Sequence, residues 1–201
     1  MAAHIALHEV GVPFDAKPVS LASKATHTPE FLALNPAGLI PVLMIDGRPL
    51  TEVAGILFYL ARRFSESHLL PVNDPEAEAQ VVSVMSFVAS TLHPAFGFYN
   101  FASSEETRAA ARQRLWRVFG VAEQRLGTSA WAVGDYSIAD IHLFRLFFRL
   151  RHTLHPSADE FPRLSAHYDR MRARPAVQRT LEREAAIGYE IKNFTPPVLR
   201  T

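Results

Sequence analysis

Asn35-Pro36-Ala37-Gly38-Leu39-Ile40-Pro41-Val42-Leu43-Met44-Ile45-Asp46-Gly47-Arg48-Pro49-Leu50-Thr51-Glu52 is the stretch that decides how this chain folds. Pro41 to Ile45 is a short apolar run bounded by turn formers, the pattern of a buried strand. Asp46-Gly47 is a strong hairpin signal, because both residue types accept the positive φ that a two-residue turn demands. Arg48-Pro49-Leu50 then returns as a short edge strand, where a residue without an N–H is tolerated. Glu52 opens a helix running to Phe64, with Val53, Ile56, Leu57 and Leu60 at spacings of three and four.

Upstream, Ala2 to Val10 reads as a helix closed by Gly11 and Pro13, and Ala16 to Leu21 as a further strand. Downstream the texture changes to long helices. Val81, Val84, Met85, Val88 and Leu92 follow one helical face, and Leu115, Val118, Phe119, Ala122 and Leu126 follow another. Ser103 with Glu106 suggests a capping box ahead of the second, and Ser137 with Asp140 a sharper one, with Tyr136 placed to staple onto Ile141. Pro94 removes a backbone donor inside its helix and predicts a kink. Pro162 and Pro175 suit first helical turns. These signals predict a small α/β domain over 1–65, a linker over 66–75 and an all-helical domain over 76–201.

Composition narrows the function classes. The 201 residues carry 21 Lys+Arg against 20 Asp+Glu, a net charge of +1, which lacks the basic excess of a nucleic-acid binder. There is no cysteine, so disulfide scaffolds, thiolate metal sites and a protein thiol nucleophile are excluded. His4, His8 and Glu9 interrupt the early apolar run, so no signal peptide is read and a cytoplasmic location is expected. Val81 to Ala102 is long and apolar, but its interspersed Ser83, Ser86, Ser90, His93 and Asn100 suit a core helix better than a membrane span. His4 with His8, and His152 with His155, lack a third ligand at a recognisable interval, so no metal site is expected. The arginines from Arg163 to Arg183 alternate with acids and read as a solvated face. The tail Ile187 to Thr201, with Pro196-Pro197, carries no recognisable chemistry and is expected to cover a cleft or remain disordered.

The run Asn35 to Leu43, followed by Leu50-Thr51-Glu52, resembles the glutathione transferase family. His4-Ile5-Ala6-Leu7, Leu92-His93 and Ser137-Ile138-Ala139-Asp140 resemble its bacterial beta class. The resemblance implies a thioredoxin-like first domain, a helical second domain, a homodimer and a glutathione site in the interdomain cleft. It also implies a strand and a Ser, Tyr or Cys loop ahead of the first helix. The sequence begins inside that helix, so the thioredoxin-like domain is expected to lack its first strand and the main thiolate donor to lie outside this chain. Either a start upstream of Met1 or a true truncation accounts for this.

The same resemblance gives roles to particular residues. A cis bond at Ile40-Pro41 would leave the Ile40 backbone free to pair with the cysteinyl unit of glutathione; the plainer reading is a turn proline. Glu52 and the Val53 N–H would hold the γ-glutamyl end, although first-turn acids are common for helix-dipole reasons alone. Lys24 would meet the glycine carboxylate, or be a solvated lysine. His93 would face the glutathione sulfur in a supporting catalytic role, or be a partly buried helix histidine. Phe96, Phe98 and Tyr99 are candidates for the second-substrate pocket by their position near His93. Val53 replaces the usual serine, Pro94 a lysine and Ser86 an asparagine, and each change removes a donor. The activity implied is transfer of glutathione to a small apolar electrophile; the alternative is a binding or interaction module that keeps the fold without the chemistry.

Overall fold

A computed structural model describes residues 1–199. Helix α1 (Ala2–Val10) ends on Gly11, whose φ of 72° is open to glycine without strain. A segment without regular structure leads to a short 3₁₀ turn at Ala25–His27 and helix α2 (Pro29–Leu34), capped by Thr28 accepting from the Phe31 N–H. Strands β1 (Val42–Ile45) and β2 (Arg48–Thr51) form an antiparallel hairpin, and Asp46 and Gly47 both have positive φ at its turn. Helix α3 (Val53–Arg63) follows directly.

Two expectations change here. Ala16 to Leu21 is not a strand, because a strand exists only through a partner and among the described residues the sheet holds β1 and β2 alone. β1 is half-buried rather than buried, with Met44 exposed, since it has one neighbouring strand.

The helical part begins at α4 (Pro75–Phe87), capped by Asp74. The chain continues through a π turn at Val88–Leu92 into α5 (His93–Asn100). At the π turn the His93 N–H reaches back to the Val88 carbonyl, so the helix widens just before Pro94. The predicted disruption at Pro94 therefore takes the form of an inserted residue, and Pro94 sits in the first turn of α5. The run Pro75–Asn100 is long and apolar enough to cross a membrane by length and composition, while its Val81, Met85, Val88, Leu92 and Phe96 are core residues.

Helix α6 (Glu105–Leu126) starts at Ser104, with Thr107 as reciprocal partner, one residue beyond the predicted Ser103–Glu106 box. Helix α7 (Ile138–Thr153) carries the predicted Ser137–Asp140 box: Asp140 accepts from the Ser137 N–H at 2.9 Å, and Ser137 Oγ accepts from the Ala139 N–H at 3.3 Å. Helices α8 (Pro162–Arg172) and α9 (Pro175–Ile187) start on their prolines. Tyr136 donates its hydroxyl to Glu9 and lays its ring edge-on against Trp131.

Helix α7 is the axis of the molecule. Its Ile138, Ile141, Phe144, Phe147 and Leu150 are core residues, and α1, α3, α4 and α8 all pack on it. The first domain is thereby seated on the second, and an ion pair pins the junction. Arg174, just before α9, donates from Nε to Glu9 Oε1 at 2.7 Å and from Nη2 to Oε2 at 3.1 Å. Its guanidinium also lies over the Tyr136 ring at 3.5 Å.

Candidate functional site

The hairpin register builds the first part of the site. Val42 pairs with Thr51, so the antiparallel ladder extended by one step sets Ile40-Pro41 beside Glu52 and the first turn of α3. The Ile40-Pro41 peptide is cis. The preceding turn is held by Asn35, whose side chain accepts from the Ala37 N–H at 3.1 Å and donates to the Leu39 carbonyl at 2.7 Å. Gly38 is also fixed there: its φ is +63°, and a Cβ on it would stand 2.9 Å from His27 Nδ1. Ile40 is 44% exposed, and neither its N–H nor its carbonyl has a partner among the described residues.

Glu52 is exposed and holds φ 65°, ψ 123°, a conformation strained for any residue with a side chain. It offers no side-chain cap to α3, so the N–H groups of the first turn point outward with the positive end of the helix dipole. Val53 contributes its backbone alone. An extended backbone edge, a carboxylate and a free helix start are thus gathered in one corner, suited to a peptide-like ligand bearing both an ammonium and a carboxylate.

Lys24 is exposed, with φ 58° at the head of the 3₁₀ turn. The close approach of Gly38 to His27 and to the Thr26 carbonyl packs that turn against the loop leading to Ile40, and the Lys24 side chain has no hydrogen-bond or ion-pair partner among the described residues.

His93 belongs to a second wall. It is open to solvent, yet its pKa lies below the ordinary value, through burial of part of the ring and then through Arg145 and Arg149. Both arginines come from α7 and, with His142, fall at i, i+3 and i+7 on one helical face. His142 is 2% exposed, and its Nδ1 has no partner among the described residues. Burial, then Arg145 and His93, push its pKa down to about 3. Burial and Arg149 lower Arg145 to about 10, which leaves it cationic at neutral pH.

No hydrogen bond joins His93 to Ile40 or Glu52. Phe96 is 1% exposed and packs edge-on to Phe119, a core position rather than an open wall. Phe98 is exposed but stacks on Arg114 of α6 at 4.2 Å, and Tyr99 lies near Arg108 of the same helix. Both therefore face α6 and not the arginines of α7. Sequence reasoning missed those arginines; two cations one turn apart within the apolar run Leu143 to Leu150 were the available signal. No group of three or more potential metal ligands occurs among the described residues.

Comparison with known proteins gives two family matches. Residues 1–63 match the family described as "Glutathione S-transferase, N-terminal domain", and residues 73–175 that described as "Glutathione S-transferase, C-terminal domain". The chain is 30% identical to Glutathione S-transferase GST-4.5 of Xanthomonas campestris, over 92% of this chain and 93% of that protein. A sphingomonad glutathione S-transferase solved in complex with glutathione is 32% identical with a TM-score of 0.82, covering 92% of this chain and 93% of that one. A bacterial beta class enzyme of Sphingomonas chungbukensis is 32% identical with a TM-score of 0.80, covering 90% and 92%.

Proposed function

The chain belongs to the glutathione S-transferase family, with a thioredoxin-like N-terminal and a helical C-terminal domain, and on that premise we propose that it binds glutathione and transfers it to an electrophilic apolar substrate. One observation carries the reading: the free Ile40 backbone, set beside Glu52 and the start of α3 by the Val42–Thr51 register. The cysteinyl unit of glutathione pairs with the Ile40 N–H and carbonyl as a short added strand. Its γ-glutamyl carboxylate takes the Val53 N–H, where the helix dipole favours an anion. The ammonium beside that carboxylate meets Glu52, and the glycine carboxylate meets Lys24.

The sulfur then projects toward the second wall. A free thiol of ordinary pKa near 8.5 is mostly protonated at neutral pH. A donor hydrogen bond and nearby cations favour the thiolate, and His93, neutral at pH 7, offers a ring N–H while Arg145 and Arg149 supply positive potential. The thiolate attacks the electrophilic carbon, a C–S bond forms, and the leaving group departs with the bonding electrons; the thiol proton has gone to solvent.

We assign 1–65 to the glutathione-binding domain, 66–75 to the linker and 76–201 to the helical domain. The proposal includes a cytoplasmic homodimer acting in detoxification. Val82 of α4 and Phe101, just after α5, are exposed apolar side chains that a second copy would cover, and light scattering on the purified chain would show a dimer mass.

Retention on immobilised glutathione, followed by conjugation of a generic aryl halide, tests the central reading. Glu52→Ala is expected to lose retention. Unchanged retention would remove the γ-glutamyl corner from the proposal, and binding without turnover would leave a glutathione-binding module in place of a transferase.

A further inference from the structure

We propose that Arg145 and Arg149, with His93, form an anion-binding wall that selects a second substrate carrying a carboxylate. The inference rests on the glutathione reading above and adds the chemical class of the electrophile.

Arg145 Nη1 and Arg149 Nε are buried atoms with no hydrogen-bond partner among the described residues. The same holds for Nδ1 of His142, one helical turn before Arg145. Buried polar atoms without partners are uncommon in native proteins and call for an explanation. The carboxylate closest in electrostatic terms is Glu184 of α9, but it already holds the Met1 ammonium and lies 3.2 Å from His4 Nδ1. Arg149 spreads its guanidinium over the Phe96 ring at 4.7 Å, which satisfies its face and leaves its in-plane donors free. A guanidinium fork of this kind matches a carboxylate through two parallel bonds.

Placement turns a charge cluster into a site. The cationic face lies on α7, the helix on which α1 and α3 of the first domain are seated, and it meets α5, the helix that His93 begins, where Arg149 covers the Phe96 ring. The second substrate reaches the glutathione sulfur along this wall. An uncharged aryl electrophile would leave two guanidinium groups desolvated and unpaired, whereas a carboxylated one pairs them at the moment the cleft fills. The same cations that favour the thiolate thus discriminate among its partners.

The test compares two glutathione conjugates with the full chain by isothermal titration at low ionic strength, so that turnover is not required. S-(4-carboxybenzyl)glutathione should bind about tenfold tighter than S-benzylglutathione, the scale of one charge-assisted pair. The preference should shrink as salt is added. In Arg149→Met and Arg145→Met the ratio of the two affinities should fall toward one, and Arg149→Lys should restore part of it. Equal affinities for the two conjugates in the parent chain would overturn the proposal, whatever the variants do. A second probe separates the two readings. Benzoate alone, titrated while the His93 ring resonances are followed, should raise the His93 pKa. If benzoate does so but S-benzylglutathione does not bind, the anion wall stands and the glutathione corner falls. If benzoate leaves His93 unmoved, the wall falls.

Discussion

Glu190 Oε1 accepts a hydrogen bond from Ser20 Oγ at 2.7 Å, joining parts of the chain 170 residues apart. Its second oxygen accepts from the Leu21 N–H at 2.8 Å and the Ala22 N–H at 3.1 Å. The tail beyond α9 is therefore tied to the first domain. It is also anchored on the second, because Phe194 stacks against Tyr189, His152 and Phe148, and the Thr195 N–H bonds the His152 carbonyl at 2.8 Å. Of the two fates expected for Ile187 to Thr201, the described part to Leu199 is an ordered strap; Arg200 and Thr201 lie outside the described residues.

Glu190→Ala should open that clasp. The Ser20 hydroxyl, then the Ala22 and Leu21 N–H groups, hold the Glu190 carboxyl below its ordinary pKa. A lowered folded-state pKa means the contribution is complete above the unfolded carboxylate range and disappears as pH falls through the folded value. Hydrogen exchange at the Leu21 and Ala22 amides should accelerate in Glu190→Ala at pH 7, and in the parent only under acid. Equal protection in both proteins at pH 7 would show that the clasp does not order the loop.

Gly38→Ala should damage the corner at Ile40 through the backbone. The new Cβ would meet His27 Nδ1 at 2.9 Å and the Thr26 carbonyl at 3.2 Å, at a φ of +63°. The left-handed conformation alone costs about 1–2 kcal/mol for a residue with a Cβ. We expect a lower urea midpoint together with weaker retention on immobilised glutathione. A stable variant with full retention would mean the Asn35–Gly38 turn does not position Ile40.

Asp140→Ala should be the most destabilising single change at the head of α7. Asp140 is fully buried and accepts from the Ser137 N–H, from the Ala132 N–H at 2.8 Å and from His167 Nε2 at 2.9 Å. Removing it strands these three donors and the Ser137 hydroxyl, which also donates to it at 3.3 Å, all but the Ala132 N–H fully buried, a loss of about 3–5 kcal/mol by analogy with broken buried pairs. Asp140→Asn keeps one acceptor and should lose less. Denaturant midpoints of both variants measure this, and a loss below 1 kcal/mol in Asp140→Ala would contradict the count of stranded donors.

The parts of the fold written in local chemistry were legible in the sequence. Gly11 ending α1, Asp46-Gly47 turning the hairpin, Ser137 with Asp140 capping α7, and Pro162 and Pro175 opening helices all depend on residues within a few positions of one another. The misreadings share one cause, which is that the deciding partner is distant or adjacent alternatives are equivalent. Ala16 to Leu21 has the composition of a strand, but pairing decides strands. Ser103 and Ser104 are equally good caps, and Thr107 settled the choice. Of the candidate site, the Ile40–Glu52 corner came from the family resemblance of Asn35 to Leu43 and Leu50 to Glu52, and the hairpin register sets those residues side by side. The cationic wall was not legible, because Arg145 and Arg149 read as ordinary helix surface until α1, α3 and α5 are packed around them.

His142 should make the protein sensitive to mild acid. Its pKa falls to about 3 through burial, Arg145 and His93, against about 6.5 in the unfolded chain. The unfolded state therefore binds the extra proton first. Stability is complete above about pH 6.5 and declines as pH drops toward about 3, by up to about 1.4 kcal/mol per pH unit for this one group. His8, His93 and His152 are also held below their ordinary pKa and add to the slope in the same window, so the parent curve alone does not isolate His142. The difference between parent and His142→Phe does. That variant keeps an aromatic ring in the core and removes the titrating nitrogen. The urea midpoint of the parent should fall steeply between pH 6.5 and 5, above the range where carboxylates protonate, and that of His142→Phe should fall much less. Parallel curves would mean that His142 reaches solvent and titrates normally. Its Nδ1 could then no longer count as a buried polar atom without a partner beside Arg145.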